Sequence, residues 1–339
     1  MAAAVAFSSA AVSPAAGQAV SKGRGRSQEA RDRALVEKSF PRRLLDKPSW
    51  WGSGDTPNME IADRYEFIRA DLNNTGRPDF IVAAYESPWG SEGSVRVLKA
   101  SSGDLVAQSS LGDCLMGSPQ EISVVDLDHS GHPGVLVELP DGHGGPTLDW
   151  IFRWDGSKLI SLGPTRTIGL SVCPGLYGSQ FVDLDGDGFL EAVSTLVHAA
   201  PDEPVTYEVY KLAGGAYKPS GAFEFFEWFP VDSEPLPPAY RVREFIASLP
   251  GSPYVLTIAN GDGRDEPPVE SAQVLLNGEA VTTPGQITKT ARWFKIPVTV
   301  KANNTVEVHA SGPKDSQLYV GIGPASLPSL RPAPAAKPQ

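Results

Sequence analysis

A nine-residue acidic pattern occurs three times in this chain, as "DLNNTGRPD" at Asp71–Asp79, "DLDHSGHPG" at Asp126–Gly134 and "DLDGDGFLE" at Asp183–Glu191. First positions fall at 71, 126 and 183, giving intervals of 55 and 57 residues. Each copy follows a strand-like run ("YEFIRAD", "EISVVD", "SQFVD") and precedes another ("FIVAAY", "GVLVEL", "EAVSTLV"). The repeating unit is therefore strand, acidic loop, strand, and a chain built from such units is restricted to a stacked all-β architecture.

Further strand-like runs complete each unit: "SVRVLKA" and "LVAQSS", then "LDWIFRW" and "KLISLG", then "VTYEVYKL" and "FEFFEWF". Four strands per unit is the content of a propeller blade, so a partial or small β-propeller of three repeats is expected over residues 36–232. A closed ring takes at least about four blades. The open edge would be covered either by residues 38–58 or by a second copy of the chain in a homo-oligomer. The 34 glycines and 31 prolines agree with short, frequently punctuated strands. Cys114 and Cys173 stand twelve and ten residues before the second and third loops, which makes them repeat-equivalent. Neither belongs to a CxxC pair or lies near a His at metal spacing, so the two are not a zinc site, while one disulfide and two buried thiols both remain open.

Beyond "PVDSEPLPPAY" the pattern changes. "SPYVLTIANGDG", "ESAQVLLNGEAV", "WFKIPVTV", "NNTVEVHASG" and "QLYVGIG" are short strands set apart by Asn-Gly, Gly-Asp-Gly and Asn-Asn turns. They predict a β-sandwich over residues 238–325, followed by a Pro-rich tail at 326–339. Residues 1–35 begin with a small, apolar, signal-like run without a basic lead, and their composition predicts disorder. Residues 1–47 hold nine Lys/Arg against four Asp/Glu, whereas 48–339 hold twenty against thirty-six. A body of that charge repels phosphate backbones, which excludes nucleic acid as a partner and favours divalent cations. No run approaches the ~20 apolar residues of a membrane span.

Like charges at alternate loop positions repel unless a cation sits between them, and oxygen ligands so spaced suit calcium. An EF-hand is excluded, because position twelve of the third loop is Ser194 and the flanks are strands. With this acid spacing between strands, the chain resembles the FG-GAP/VCBS repeat family, known from integrin α-chain propellers and secreted bacterial proteins. The resemblance covers residues 58–230 and implies that Asp183, Asp185, Asp187 and Glu191 are side-chain ligands of Ca2+, with Phe189 lending its carbonyl. In the first loop it implies Asp71, Asn73, Thr75 and Asp79, with Arg77 at the carbonyl position. In the second it implies Asp126, Asp128 and Ser130, but Gly134 stands where the last acid belongs. Against the metal stands an Asx-turn hairpin whose acids point to water. The last segment also resembles small immunoglobulin-like or carbohydrate-module-like sandwiches of secreted proteins.

No catalytic motif for acyl, phosphoryl or metal-assisted hydrolysis is present. His129, His132 and His143 could gather on one blade face as transition-metal ligands or acid/base groups, against the reading of solvated loop histidines. Trp50, Trp51 and the Phe223–Phe229 aromatics could stack on sugar faces, against edge and core packing. The expected function is a non-catalytic, calcium-stabilised adhesion, carbohydrate-binding or scaffolding protein, secreted, periplasmic or at the cell surface, with a carbohydrate or an extracellular protein as partner. The rival from another class is a hydrolase or lyase acting on polysaccharide.

Overall fold

The structure, a computed structural model, describes residues 26–40, 65–85, 93–112, 119–128, 131–139, 147–168, 171–195, 206–231, 239–262, 267–283 and 285–325. Apart from one helix these residues are all-β, in several small sheets, and every strand pair of described register is antiparallel. Two compact units are present: Met1–Ser179 with Ala213–Tyr217, and Gln180–Leu212 with Lys218–Gln339. No sheet among the described residues closes on itself, and the three sheets that carry the acidic loops are separate and open. The helix among them is not long and apolar enough to cross a membrane.

In the first unit, β1 (Tyr65–Ala70), β2 (Phe80–Tyr85), β3 (Gly93–Lys99) and β4 (Leu105–Gly112) form a sheet in chain order. The first acidic loop is the β1–β2 connection. Helix α1 (Arg26–Ser39) packs Val36, with Phe40 just beyond its end, against Tyr65, Ile81, Tyr85 and Leu98. This corrects the expectation of disorder up to residue 35. Glu29 in the first turn and Lys38 in the last oppose the helix dipole favourably. The decisive contact is tertiary: Arg69 Nε and Nη2 donate to Asp32 Oδ2 and Oδ1 at 2.6 and 2.7 Å, a bidentate pair on a side chain only 2% exposed. Asp32→Ala strands a partly buried guanidinium and is expected to cost about 2–3 kcal/mol in urea unfolding. An unchanged midpoint would show that the helix contributes nothing to this unit.

The second sheet runs β5 (Glu121–Val125), β6 (Gly134–Leu139) and β7 (Leu148–Trp154), with β8 (Leu159–Ser161) also paired to β7. A hairpin of β9 (Thr165–Ile168) and β10 (Ser171–Pro174) follows, and β11 (Leu176–Tyr177) then adds an edge strand to the sheet by pairing with β7. Cys173 lies on β10, while Cys114 lies outside the described residues, as do Trp50, Trp51, His129, His143 and the tail at 326–339.

The second unit holds the third acidic loop. It joins β12 (Gln180–Val182) to β13 (Glu191–Thr195), and β14 (Tyr207–Ala213) and β15 (Ala216–Phe223) complete that sheet. Sequence reasoning assigns "FEFFEWF" as the last strand here. Instead β15 takes that place, and β16 (Phe225–Pro230) pairs with the C-terminal strand. Pro219 and Gly221 hide β15 from a propensity reading, but an edge strand tolerates both.

Two four-stranded sheets make up the rest. With β17 (Ala239–Ile246), β18 (Pro253–Asn260), β19 (Ser271–Leu276), β20 (Glu279–Ala280), β21 (Trp293–Thr299), β22 (Asn303–Ser311) and β23 (Gln317–Pro324), their orders are β16-β23-β18-β21 and β17-β22-β19-β20. Inward residues alternate along β19 (Ala272, Val274, Leu276) and β22 (Val306, Val308, Ala310), and they meet Leu256, Ile258, Val320 and Ile322 in one core. β23 is buried on both faces. Leu318, Val320 and Ile322 face the sandwich core, while Tyr319 joins Val182, Leu184, Val193, Val209, Phe223 and Phe226 of the third sheet and its continuation. The third acidic sheet therefore rests on the sandwich within one unit. Of the Pro-rich stretch read as a domain boundary, 230–241, residues 232–238 lie outside the described residues.

Candidate metal centre

All three loops close in the same way. The position-one carboxylate accepts the N–H of the position-six glycine: Gly76 to Asp71 Oδ2 at 2.5 Å, Gly131 to Asp126 Oδ2 at 3.0 Å and Gly188 to Asp183 Oδ2 at 3.2 Å. Those glycines have φ of 77, 77 and 86°, a left-handed conformation that costs glycine no Cβ clash. The first acid of each loop is thus a turn-former, with lone pairs left over for a cation.

The loops differ in what the other oxygens do. In the first, Thr75 N–H and Oγ1 donate to Asp71 Oδ1, Trp154 Nε1 donates to Asn73 Oδ1 at 3.0 Å, and the Arg77 carbonyl accepts Asp79 N–H at 2.8 Å. Burial pushes Asp71 up, yet the backbone N–H groups of Thr75, Gly76 and Asn73 hold its carboxyl below the usual range. In the second loop, Asp126 Oδ1 is buried without a hydrogen-bond partner, Asp128 is half-buried, and Ser130 lies outside the described residues. The missing last acid has a steric cause: a Cβ at Gly134 would stand 2.9 Å from the Val125 carbonyl and 2.9 Å from Leu127. Asn74 Nδ2 donates to the Gly131 carbonyl and ties the first loop to the second.

The third loop gathers acids. Oxygens of Asp183, Asp185 and Asp187 lie within 4.8 Å of one another, the one such group of three among the described residues. Asp183 is 2% exposed, and its Oδ1 also accepts Gly186 N–H at 2.6 Å. Phe189 N–H donates to Asp187 Oδ1 at 2.9 Å, and Phe189 is 39% exposed. Glu191, at the start of β13, is 3% exposed: Oε2 accepts Leu184 N–H at 2.7 Å, but Oε1 has no hydrogen-bond partner. Burial pushes its carboxyl up to about 7, with repulsion from Asp185 and Asp187 adding to the shift. An orphaned buried acceptor beside three carboxylates fits a hard, oxygen-preferring cation such as calcium, which would be held by Asp183, Asp185, Asp187 and Glu191.

Two residues at this centre lie outside the repeated motif. Lys211, on β14, places Nζ 2.7 Å from Asp185 Oδ2, 2.6 Å from Asp187 Oδ2 and 3.6 Å from Glu191 Oε1. The hydrogen bonds that Lys211 donates to Asp185 and Asp187 raise its pKa; burial pushes Asp187 up, but the Lys211 ammonium and the Phe189 N–H outweigh it and hold that carboxyl below the usual carboxylate range. Trp293, at the start of β21, donates Nε1–H to the Asp183 carbonyl at 2.9 Å and lies so close to Gly186 that a Cβ there would meet its ring at 2.9 Å. Asp183 N–H donates to the Asp262 carbonyl at 3.1 Å, so a loop of the sandwich also grips the acidic loop. No sequence signal marked Lys211 or Trp293, which reach the site only through strand pairing and sheet packing.

A second acidic group lies in the second sheet. Glu121 faces Glu138 across β5–β6, and Glu138 faces Asp149 across β6–β7. Asp149 accepts Thr147 Oγ1–H at 3.1 Å and the Ser179 N–H. Burial pushes Asp149 up to about 7, and burial with the Asp149 and Glu121 charges pushes Glu138 up to about 8.

No protein-family model matches the chain, and no curated protein does. Among solved structures there is distant similarity to a family 35 carbohydrate-binding module from an environmental isolate, at 22% identity over 29% of this chain and 79% of that one, with a TM-score of 0.20. BuGH86 in complex with neoagarooctaose is 13% identical over 59% of this chain, with a TM-score of 0.20. The catalytic domain of Clostridium perfringens ZmpB with its two carbohydrate-binding domains is 13% identical over 82% of this chain, with a TM-score of 0.19. The chain spans 35% and 32% of the length of these last two.

Proposed function

We propose that this is an exported, non-catalytic binding protein in which calcium braces the third acidic loop and a carbohydrate is the ligand recognised. The supporting observation is the third loop, where three carboxylates meet within 4.8 Å beside a buried Glu191 oxygen that lacks a hydrogen bond. Phe189 and Trp293, 39% and 37% exposed, stand at the same loop, and such rings offer flat apolar faces to the C–H faces of a sugar. We read the three sheets that carry the loops as blades of the FG-GAP/VCBS type, with the sandwich as an accessory module.

Removing calcium with a chelator is expected to lower the melting temperature by several degrees, because a ligand bound only by the folded state stabilises it. An identical melt in EDTA, with no calcium by elemental analysis, would sink the metal half of the reading. For the ligand, glycan-array binding without turnover, weakened in Trp293→Ala, is expected. Release of reducing ends or unsaturated products would replace this reading with that of a polysaccharide-acting enzyme, and capture of protein but no glycan would replace the ligand class.

A further inference from the structure

We propose that Lys211 is a built-in competitor for the cation of the third loop, so that calcium binds there by exchange with a side-chain ammonium. The inference rests on the calcium reading of that loop given above. The Lys211 ammonium uses the oxygens a dication would use, at 2.7 Å from Asp185 Oδ2 and 2.6 Å from Asp187 Oδ2. Ala192 faces Tyr210 across β13–β14, so Lys211 comes up one step further, level with Glu191 and directed at the loop from the neighbouring strand. Two cations cannot share one small cup of carboxylates without strong mutual repulsion, and entry of one therefore requires departure of the other.

The second observation is Glu191. Its Oε1 is buried, has no hydrogen bond, and stands 3.6 Å from Nζ, beyond the reach of an N–H···O bond. An ammonium held by Asp185 and Asp187 leaves that acceptor unmet. A dication taking six to eight oxygens at about 2.3–2.6 Å would draw on it. Departure is sterically open, because the Lys211 side chain is 33% exposed and its four-carbon stem can swing the charge into water. Lys211 would thereby keep four neighbouring carboxylates compatible with a folded loop at low calcium, and would set the calcium concentration at which the loop changes occupant.

The experiment is calorimetric titration of the full chain with calcium chloride, comparing wild type with Lys211→Met and assigning the third-loop heat as the component that Asp187→Asn removes. The expected result is third-loop binding at least about tenfold tighter in Lys211→Met. Equal or weaker binding by this variant overturns the competitor role while leaving calcium in the loop. Absence of any third-loop heat from both proteins overturns the calcium reading and this inference with it. A measurement on the wild type needs no variant to fold: acetylation of Lys211 Nζ, read by mass spectrometry, is expected to rise severalfold on adding calcium. Labelling that does not respond to saturating calcium also overturns the proposal.

Discussion

Gly323→Ala is expected to destabilise the second unit by about 3 kcal/mol or more, enough to remove most of the stability of an ordinary domain. A Cβ at this position would stand 2.2 Å from the backbone carbonyl oxygen of Ala222, a contact no rotamer can relieve. The clash falls where β23 meets the end of β15, so relieving it must pull the third sheet away from the sandwich and open the packing of Phe223, Phe226 and Tyr319. Gly321→Ala meets the Phe223 ring at 2.8 Å instead of backbone, and a ring can shift. That variant is expected to lose about 1–2 kcal/mol. Gly285→Ala, with nothing within 4 Å of the new atom, serves as the control and is expected to stay within about 0.5 kcal/mol of wild type. Urea unfolding of the three variants checks the order. Equal midpoints for Gly323→Ala and Gly285→Ala would mean that the close approach of β23 to the third sheet is not part of the folded state.

Stability is also expected to fall as pH rises through neutrality, and the cause lies in the Glu121–Glu138–Asp149 row. Glu138 carries a folded pKa of about 8 against an ordinary value of 4.5, and Asp149 about 7 against 3.8. Between each pair of values the folded state holds a proton that the unfolded state has released, so unfolding becomes easier as pH increases. The contribution is complete below the ordinary values and is lost as pH passes through the folded ones. Glu121 and Glu66, both raised first by burial, add acids to the same neighbourhood, with Glu121 among the charges raising Glu66. Glu138 is partly open to water, and screening reduces its share to about 2 kcal/mol. Melting temperatures measured from about pH 5 to about pH 8.5 are expected to decline in wild type and to decline less in Glu138→Gln. Parallel curves for the two proteins would show that Glu138 does not hold the extra proton.

The strand content and the loops were readable along the chain because they depend on local rules. Alternation of apolar residues, a glycine able to take positive φ at position six, and a carboxylate one turn upstream need only neighbours in sequence. The N-terminal helix was not readable, since its place is fixed by Asp32 reaching Arg69 across 37 residues and by Val36 and Phe40 filling a sheet face. β15 was missed because proline and glycine depress strand propensity, and "FEFFEWF" was misassigned because a strong strand signal names no partner. The empty last-acid position in the second loop was visible as Gly134, but its reason, the Val125 carbonyl at 2.9 Å from any Cβ, belongs to packing.

By itself the sequence determined that this is an all-β chain with three acidic turns, and it identified Asp183, Asp185, Asp187 and Glu191 as the richest of them. Only the tertiary structure decided what surrounds those acids. Lys211 arrives from β14 and Trp293 from β21, 110 residues beyond Asp183, and a loop ending β18 holds the turn from behind through the Asp262 carbonyl. Turn chemistry acts over four or five residues, and the chain spells it out. The charge and the ring that complete the centre are brought there by sheet pairing and by burial of apolar faces, which depend on the whole fold.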